Sequence, residues 1–248
     1  MAAGMTPRRA MVLAAGLGIR MRPITDERPK PLIEVAGRTM LDRALDRLHA
    51  FGIERAVVNS YYLADQIEAH LADRSDPVIE NSREKTLLDT GGGVTRALRR
   101  LGADPFFVVN ADIVWLDGRA PVLTRLADAW HEADMDALLL VQSTANAFGY
   151  SGRGDFHVDQ VGHMRRREEL DVAPYVFTGI QILHPRLFAD APSGAFSLNV
   201  LYDRAERAGR LHAIVHDGEW FHIGTPEALA EAETEISGRS SAADRRTR

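Results

Sequence analysis

The chain has 248 residues, a formal charge of −5 and no cysteine. A chain of this length suits one large α/β domain or two small ones and buries a core without covalent staples. The acidic balance argues against nucleic acid as the main partner, and the missing thiols exclude disulfides, thiolate metal sites and cysteine nucleophiles.

Residues 1–9 are polar and read as a flexible tail, with Met5 as an alternative start. The apolar run behind them is only about five residues, below the roughly 7–15 of a secretion-signal core. No apolar run reaches the roughly 18 residues that suggest a membrane span. These features predict a cytoplasmic protein with no membrane partner. The run at 10–15 reads as a buried strand ended by glycine. Met40, Leu41, Ala44, Leu45 and Leu48 recur at three- and four-residue steps, so 39–50 is a helix, with Gly52 as its stop. Residues 55–59 form the next strand, 63–72 a helix and 77–80 a short strand.

Thr90-Gly91-Gly92-Gly93 leads into a helix at 94–101. The strand at 106–109 is apolar on both faces, which predicts a central place in a parallel sheet. A helix at 119–131 and a strand at 137–141 follow. Alternating strands and helices predict a doubly wound sheet with right-handed crossovers. Beyond 141 the rhythm changes. A glycine-rich loop covers 149–155, a β-hairpin 156–166 and a strand 175–183. A helix at 198–208, strands at 211–215 and 220–223 and a closing helix at 226–236 complete the chain. Thr225 is the N-cap of that last helix and Pro226 its first residue. Residues 237–248 lack periodicity and read as a second flexible tail. With no internal repeat or long linker, 10–236 reads as one domain.

The segment Val12-Leu13-Ala14-Ala15-Gly16-Leu17-Gly18-Ile19-Arg20-Met21-Arg22-Pro23, then Arg28-Pro29-Lys30-Pro31-Leu32, carries the chemistry. It is no Rossmann fingerprint, because Met21 stands at the third glycine position, and no Walker A loop, because no Gly-Lys-Ser/Thr follows. Glycines and cations at a strand's carboxyl end bring backbone and positive charge against a polyphosphate. Arg22 either joins Arg20 and Lys30 there or pairs with a nearby acid. Asp112 follows a strand end, where a carboxylate serves as a Mg²⁺ ligand or as a turn cap. Gly91, Gly92 and Gly93 allow either close approach of a base or a tight turn.

The stretch from Val12 to Leu32 resembles the signature of the sugar-1-phosphate nucleotidyltransferases, L-A-A-G-x-G-x-R-M-x-P followed by P-K-P-L. The likeness continues at Asn59, Thr90-Gly91-Gly92-Gly93, Asn110-Ala111-Asp112, Thr178-Gly179 and Trp220-Phe221-His222-Ile223-Gly224-Thr225-Pro226. Leu88-Asp89, Gly152-Arg153-Gly154-Asp155-Phe156 and Gly194-Ala195-Phe196 resemble the subgroup that uridylylates N-acetylmuramate 1-phosphate in cell-wall recycling. The resemblance implies an α/β, Rossmann-like, doubly wound mixed sheet, the nucleotide-diphospho-sugar transferase (glycosyltransferase-A-like) fold.

It implies Arg20, Lys30 and Asp112 as catalytic residues. The nucleoside triphosphate, UTP by preference, would lie against Leu13, Ala14, Ala15, Gly16, Gly18, Ile19, Asn59, Thr90, Gly91, Gly92 and Asn110. The sugar 1-phosphate would lie against Arg153, Gly154, Thr178 and Gly179, with Arg153 facing a lactyl carboxylate. Asp112 would hold Mg²⁺, with Mn²⁺ as an alternative. The family's second metal ligand is an aspartate where this chain has His222. That histidine contacts phosphate or a metal-bound water, supports a Mn²⁺ preference, or marks lost activity. The rival enzyme reading uses mannose or heptose 1-phosphate with GTP. The rival of another class is a silent nucleotide-sugar sensor. The oligomeric state is open.

Overall fold

The computed structural model describes the backbone of residues 6–246 and the side chains of residues 6–238. The first strand, β1 (Arg9–Leu13), leads into a loop with a 3₁₀ turn at Ile19–Met21, the one-turn helix α1 (Ile24–Glu27) and a second 3₁₀ turn at Lys30–Leu32. A small hairpin, β2 (Glu34–Val35) and β3 (Arg38–Thr39), returns the chain to α2 (Met40–Phe51). Then come β4 (Arg55–Ser60), α3 (Ala64–Leu71), β5 (Val78–Arg83), α4 (Asp89–Leu101) and β6 (Phe106–Asn110). The second half runs β7 (Val114–Leu116), α5 (Val122–Ala129), β8 (Ala137–Ser143), β9 (Ala147–Phe148), β10 (Phe156–Val158), β11 (Met164–Arg166) and β12 (Tyr175–Leu183). It closes with α6 (Asn199–Arg207), β13 (Leu211–Val215), β14 (Glu219–Phe221) and α7 (Pro226–Arg246).

The main sheet follows the order β11-β10-β12-β6-β1-β4-β5, with β8 and β13 joined through β12. β5, β4, β1 and β6 are parallel, as the alternating pattern requires. β12 then pairs antiparallel with both β6 and β8. The sheet is therefore mixed. β6 stands at the border of its parallel part, between β1 and β12, rather than within a wholly parallel sheet. A register shift between Phe177 and Gln181 bends β12 past Thr178 and Gly179.

Strand alternation sends side chains to two cores. Ala10, Val12, Phe107 and Val109 face α2, α3 and α5, while Met11, Phe106 and Val108 face α4 and α6. A third cluster joins Met21, Ile33, Val35 and Met40 to Val114, Phe221, Ile223, Ala232 and Ile236. It is here that α7 packs beneath the loop after β1. The helix continues to Arg246, so the stretch from 237, expected as a flexible tail, is helical wherever its backbone is described. β1 likewise begins at Arg9, inside the expected amino-terminal tail, and residues 1–5 lie outside the described residues. No helix among the described residues is long and apolar enough to cross a membrane.

Capping fixes where α2 starts. Thr39 Oγ1 accepts from Asp42 N–H at 3.0 Å, and Gly52, at φ 105°, closes the far end. Thr39→Ala is expected to lower unfolding free energy by about 1 kcal/mol in a urea titration, with turnover unchanged.

Candidate active site

β1, β4 and β6 all end at one edge of the sheet, and a cavity of about 630 Å³ opens there. Leu13, Ala14, Ala15, Gly16, Gly18, Ile19, Arg20, Lys30, Asn59, Thr90, Asn110 and Asp112 all line it. Leu87, Asp89, Ala195 and Gly224 complete much of the remaining wall. Most of the predicted nucleotide and catalytic residues therefore meet around one space.

The loop after β1 is held open by specific contacts. Gly18 adopts φ 63°, and a Cβ there would stand 3.0 Å from Thr25 Cγ2 and 3.1 Å from Lys30 Cβ. Thr25 Oγ1 donates to the Gly18 carbonyl at 2.9 Å, and Tyr62 O–H donates to the Thr25 carbonyl at 2.8 Å. Lys30 is buried, and its Nζ meets Asp112 Oδ2 at 2.7 Å. Arg20 is exposed on the cavity wall and makes no ion pair among the described residues. Arg22 instead pairs with Asp26 at 3.0 Å, which settles its two sequence readings in favour of the nearby acid.

Asn59 reaches the cavity, but both ends of its amide are engaged in the fold. Its Oδ1 accepts from Ala14 N–H at 2.8 Å and its Nδ2 donates to Glu84 Oε1 at 2.7 Å. Glu84 Oε2 accepts from Leu88 N–H at 2.9 Å. This buried chain ties β1, β4 and the entry to α4 together. Sequence reasoning passed over Glu84, and only the spacing from Asn59 across neighbouring strands would have signalled it.

Gly91 and Gly92, expected beside a base, are not among the residues that line the cavity. Their N–H groups donate to the Phe196 carbonyl at 2.8 and 3.2 Å. A Cβ on Gly91 would overlap the Phe196 ring, and one on Gly92 would overlap the Gly194 carbonyl. Thr90 Oγ1 accepts from Leu198 N–H at 2.9 Å. These glycines thus seat the 194–198 segment on the start of α4.

The expected sugar residues are likewise not among those that line this cavity. Thr178 is fully buried and donates to the Leu140 carbonyl at 2.8 Å. Gly179 gives room to the Asn110 side chain, whose Nδ2 lies 2.8 Å from where a Cβ would stand. Arg153 is exposed in the loop before β10, and Gly154 is packed under the Ala173 carbonyl. The geometry assigns none of the four a place on the wall.

His222 lies beside the cationic end. A Cβ on Gly224 would sit 2.8 Å from His222 Nε2 and 3.3 Å from Arg20 Nη1. Burial pushes the His222 imidazole below its ordinary pKa, and Lys30 and Arg20 push it the same way, against the opposing pull of Asp112. The ring is therefore neutral near pH 7. No group of three histidine or acidic side chains among the described residues is placed to hold a metal ion.

Residues 10–151 match the MobA-like NTP transferase domain family. The chain is 42% identical over 236 residues to the N-acetylmuramate alpha-1-phosphate uridylyltransferase of Caulobacter vibrioides, covering 93% of this chain and 98% of that one. The chain belongs to the sugar-1-phosphate nucleotidyltransferases. Its identity to the enzyme of the same name from Neisseria meningitidis is 34% over 243 residues, 91% of this chain and 96% of that one. A solved UDP-glucose pyrophosphorylase in complex with UDP-glucose shares the fold, with a TM-score of 0.75 at 17% identity over 94% of this chain and 99% of that chain. The nucleotide-diphospho-sugar transferase architecture expected from the sequence is the one observed.

Two tests follow for this nucleotidyltransferase. Gly91→Ala should displace Phe196 and weaken triphosphate binding about tenfold by calorimetry, because buried overlap forces a backbone shift. Burial lowers the His222 pKa, so the folded protein holds fewer protons than the unfolded chain. The His222 contribution to stability is then complete above the unfolded value of about 6.5 and falls as pH drops through it. His222→Gln should flatten part of that decline in urea midpoints taken between about pH 5 and 8.

Proposed function

We propose that the chain transfers a uridylyl group from UTP to N-acetylmuramate 1-phosphate, forming UDP-N-acetylmuramate and pyrophosphate. The Lys30–Asp112 pair on the cavity wall, with Arg20 on the same wall and without an ion pair among the described residues, supports nucleotidyl transfer. The near full-length likeness to two enzymes of that name supports this pair of substrates. The product on this reading is a nucleotide-activated wall sugar, and we assign the reaction to salvage of cell-wall fragments.

The nucleophile, a phosphate oxygen of the sugar 1-phosphate, is already anionic. It forms a bond to the α-phosphorus of UTP while the bond to the β-phosphate oxygen breaks, and that electron pair leaves with pyrophosphate. No general base is required. The protein must instead bring two polyanions together in line and offset their repulsion. Lys30, held in place by Asp112, presents positive charge between the two phosphates. Arg20 offers its planar fork to the triphosphate and steadies charge moving onto pyrophosphate. The N–H groups around Gly16 and Gly18 approach the nucleotide.

Asp112 Oδ1 and the neutral His222 imidazole fit a divalent ion that takes its other ligands from phosphate and water, as Mg²⁺ does. Imidazole also suits Mn²⁺. Such an ion, when bound, would neutralise phosphate charge.

Pyrophosphate release should be fastest with UTP and N-acetylmuramate 1-phosphate when four triphosphates are crossed with several sugar 1-phosphates. Faster release with GTP and mannose 1-phosphate would move the chain to that substrate pair. Binding without release in every pairing would make it a sensor. Arg20→Ala and Lys30→Ala should each lower kcat by about 10²–10³, the cost of removing a charge-stabilising donor.

A further inference from the structure

The 194–198 segment contributes Ala195 to the cavity wall. Ala195 is exposed and lines the cavity together with Leu87, Asp89 and Thr90. Its neighbour Phe196 is buried. The segment is fixed immediately after Ala195, on its carboxyl side. Phe196 N–H donates to the Leu88 carbonyl at 3.1 Å, its carbonyl accepts from Gly91 and Gly92, and Leu198 N–H donates to Thr90 Oγ1. The absence of side chains at Gly91 and Gly92 is what lets it sit this close to α4. A wall held by four hydrogen bonds and a buried aromatic ring does not retreat to suit a larger ligand without losing them.

The phosphates require the cationic end, at Arg20 and Lys30. On that reading the nucleobase is left to the wall that includes Leu87, Thr90 and Ala195. We propose that the pinned 194–198 segment sets nucleobase size, with Ala195 as the residue that admits a single-ring pyrimidine and disfavours a two-ring purine. The inference rests on the nucleotidyl-transfer reading only in taking a triphosphate as the occupant of the cavity. Asp89 supports a fixed boundary here. It holds φ 58° and accepts from its neighbour Thr90 N–H at 2.6 Å, so the backbone at this wall is locked in an uncommon conformation.

Calorimetry with UTP and GTP tests the wall without any sugar phosphate. Ala195 is exposed, so substitutions there leave the core intact. Ala195→Gly should shift the GTP-to-UTP affinity ratio about tenfold toward GTP, the scale of one methyl group in a shaped pocket. Ala195→Leu should weaken UTP about tenfold or more. In turnover assays, KM for the triphosphate should move while KM for the sugar 1-phosphate stays within about twofold. A wild-type preference for GTP, an unchanged ratio in both variants, or a change confined to the sugar 1-phosphate KM would overturn the proposal. Absence of pyrophosphate release with the muramate substrate would overturn the substrate assignment alone, since the affinity ratio is read without it.

Discussion

The 2.7 Å pair between Lys30 Nζ and Asp112 Oδ2 joins two segments that are 82 residues apart. One is the loop leaving β1, and the other is the turn leaving β6. Because β1 and β6 are adjacent and parallel, their carboxyl ends necessarily open at the same edge. A buried ammonium without a partner would be costly, so the carboxylate lets Lys30 be both sequestered and charged. The same contact holds a cation on the cavity wall, where the proposed reaction needs charge to offset two phosphates. Fold and chemistry thus share one ion pair.

Support for that pair comes from below and from the side. Beneath the loop, α7 contributes Ala232 and Ile236 to the apolar cluster containing Met21 and Ile33. The residues flanking Arg20 and Lys30 are therefore anchored while Arg20 itself stays exposed. To the side, the chain from Ala14 through Asn59 and Glu84 to Leu88 fixes the spacing between β1, β4 and the start of α4. Each buried polar atom in that chain finds its partner within the fold, which is how a polar group is tolerated there. The cavity's shape is set before any ligand enters.

Much of this was legible in the amino-acid order because it depends on short-range rules. The strands Tyr175–Leu183 and Leu211–Val215 keep the bounds read from their apolar runs. Gly52, Thr225 and Pro226 mark helix ends through backbone chemistry that needs no tertiary context. The loop from Gly16 to Lys30 was recognisable by its glycines and cations. The two-residue strands of the Glu34–Thr39 region, β7 and β9 were not, since such segments are too short for any period to show. The glycines at 91–93 carry a signal for close approach but not for which partner approaches. Here Phe196, Gly194 and Asn59 take that space, all distant in sequence. Thr178 likewise lay in a recognisable motif, yet its hydroxyl is spent on the Leu140 carbonyl across β8, a register that no local pattern reveals.

His222 shows how the electrostatic balance of the site differs from a two-carboxylate arrangement. Arg20 and Lys30 contribute two positive charges and Asp112 one negative charge, leaving a net of one positive charge around a neutral imidazole. A carboxylate at position 222 would cancel that remainder. It would strengthen the hold on a hard divalent ion and weaken the attraction of the bare protein for a triphosphate. The imidazole makes the opposite choice. It keeps a lone pair near Asp112 without adding negative charge next to Arg20, and burial, aided by Lys30 and Arg20, disfavours its protonation. A third positive charge would draw phosphate more strongly but would remove the only nitrogen lone pair offered by this ring. The burial that lowers its pKa therefore preserves a donor, while the proposed reaction leaves the offsetting of phosphate charge to Arg20 and Lys30.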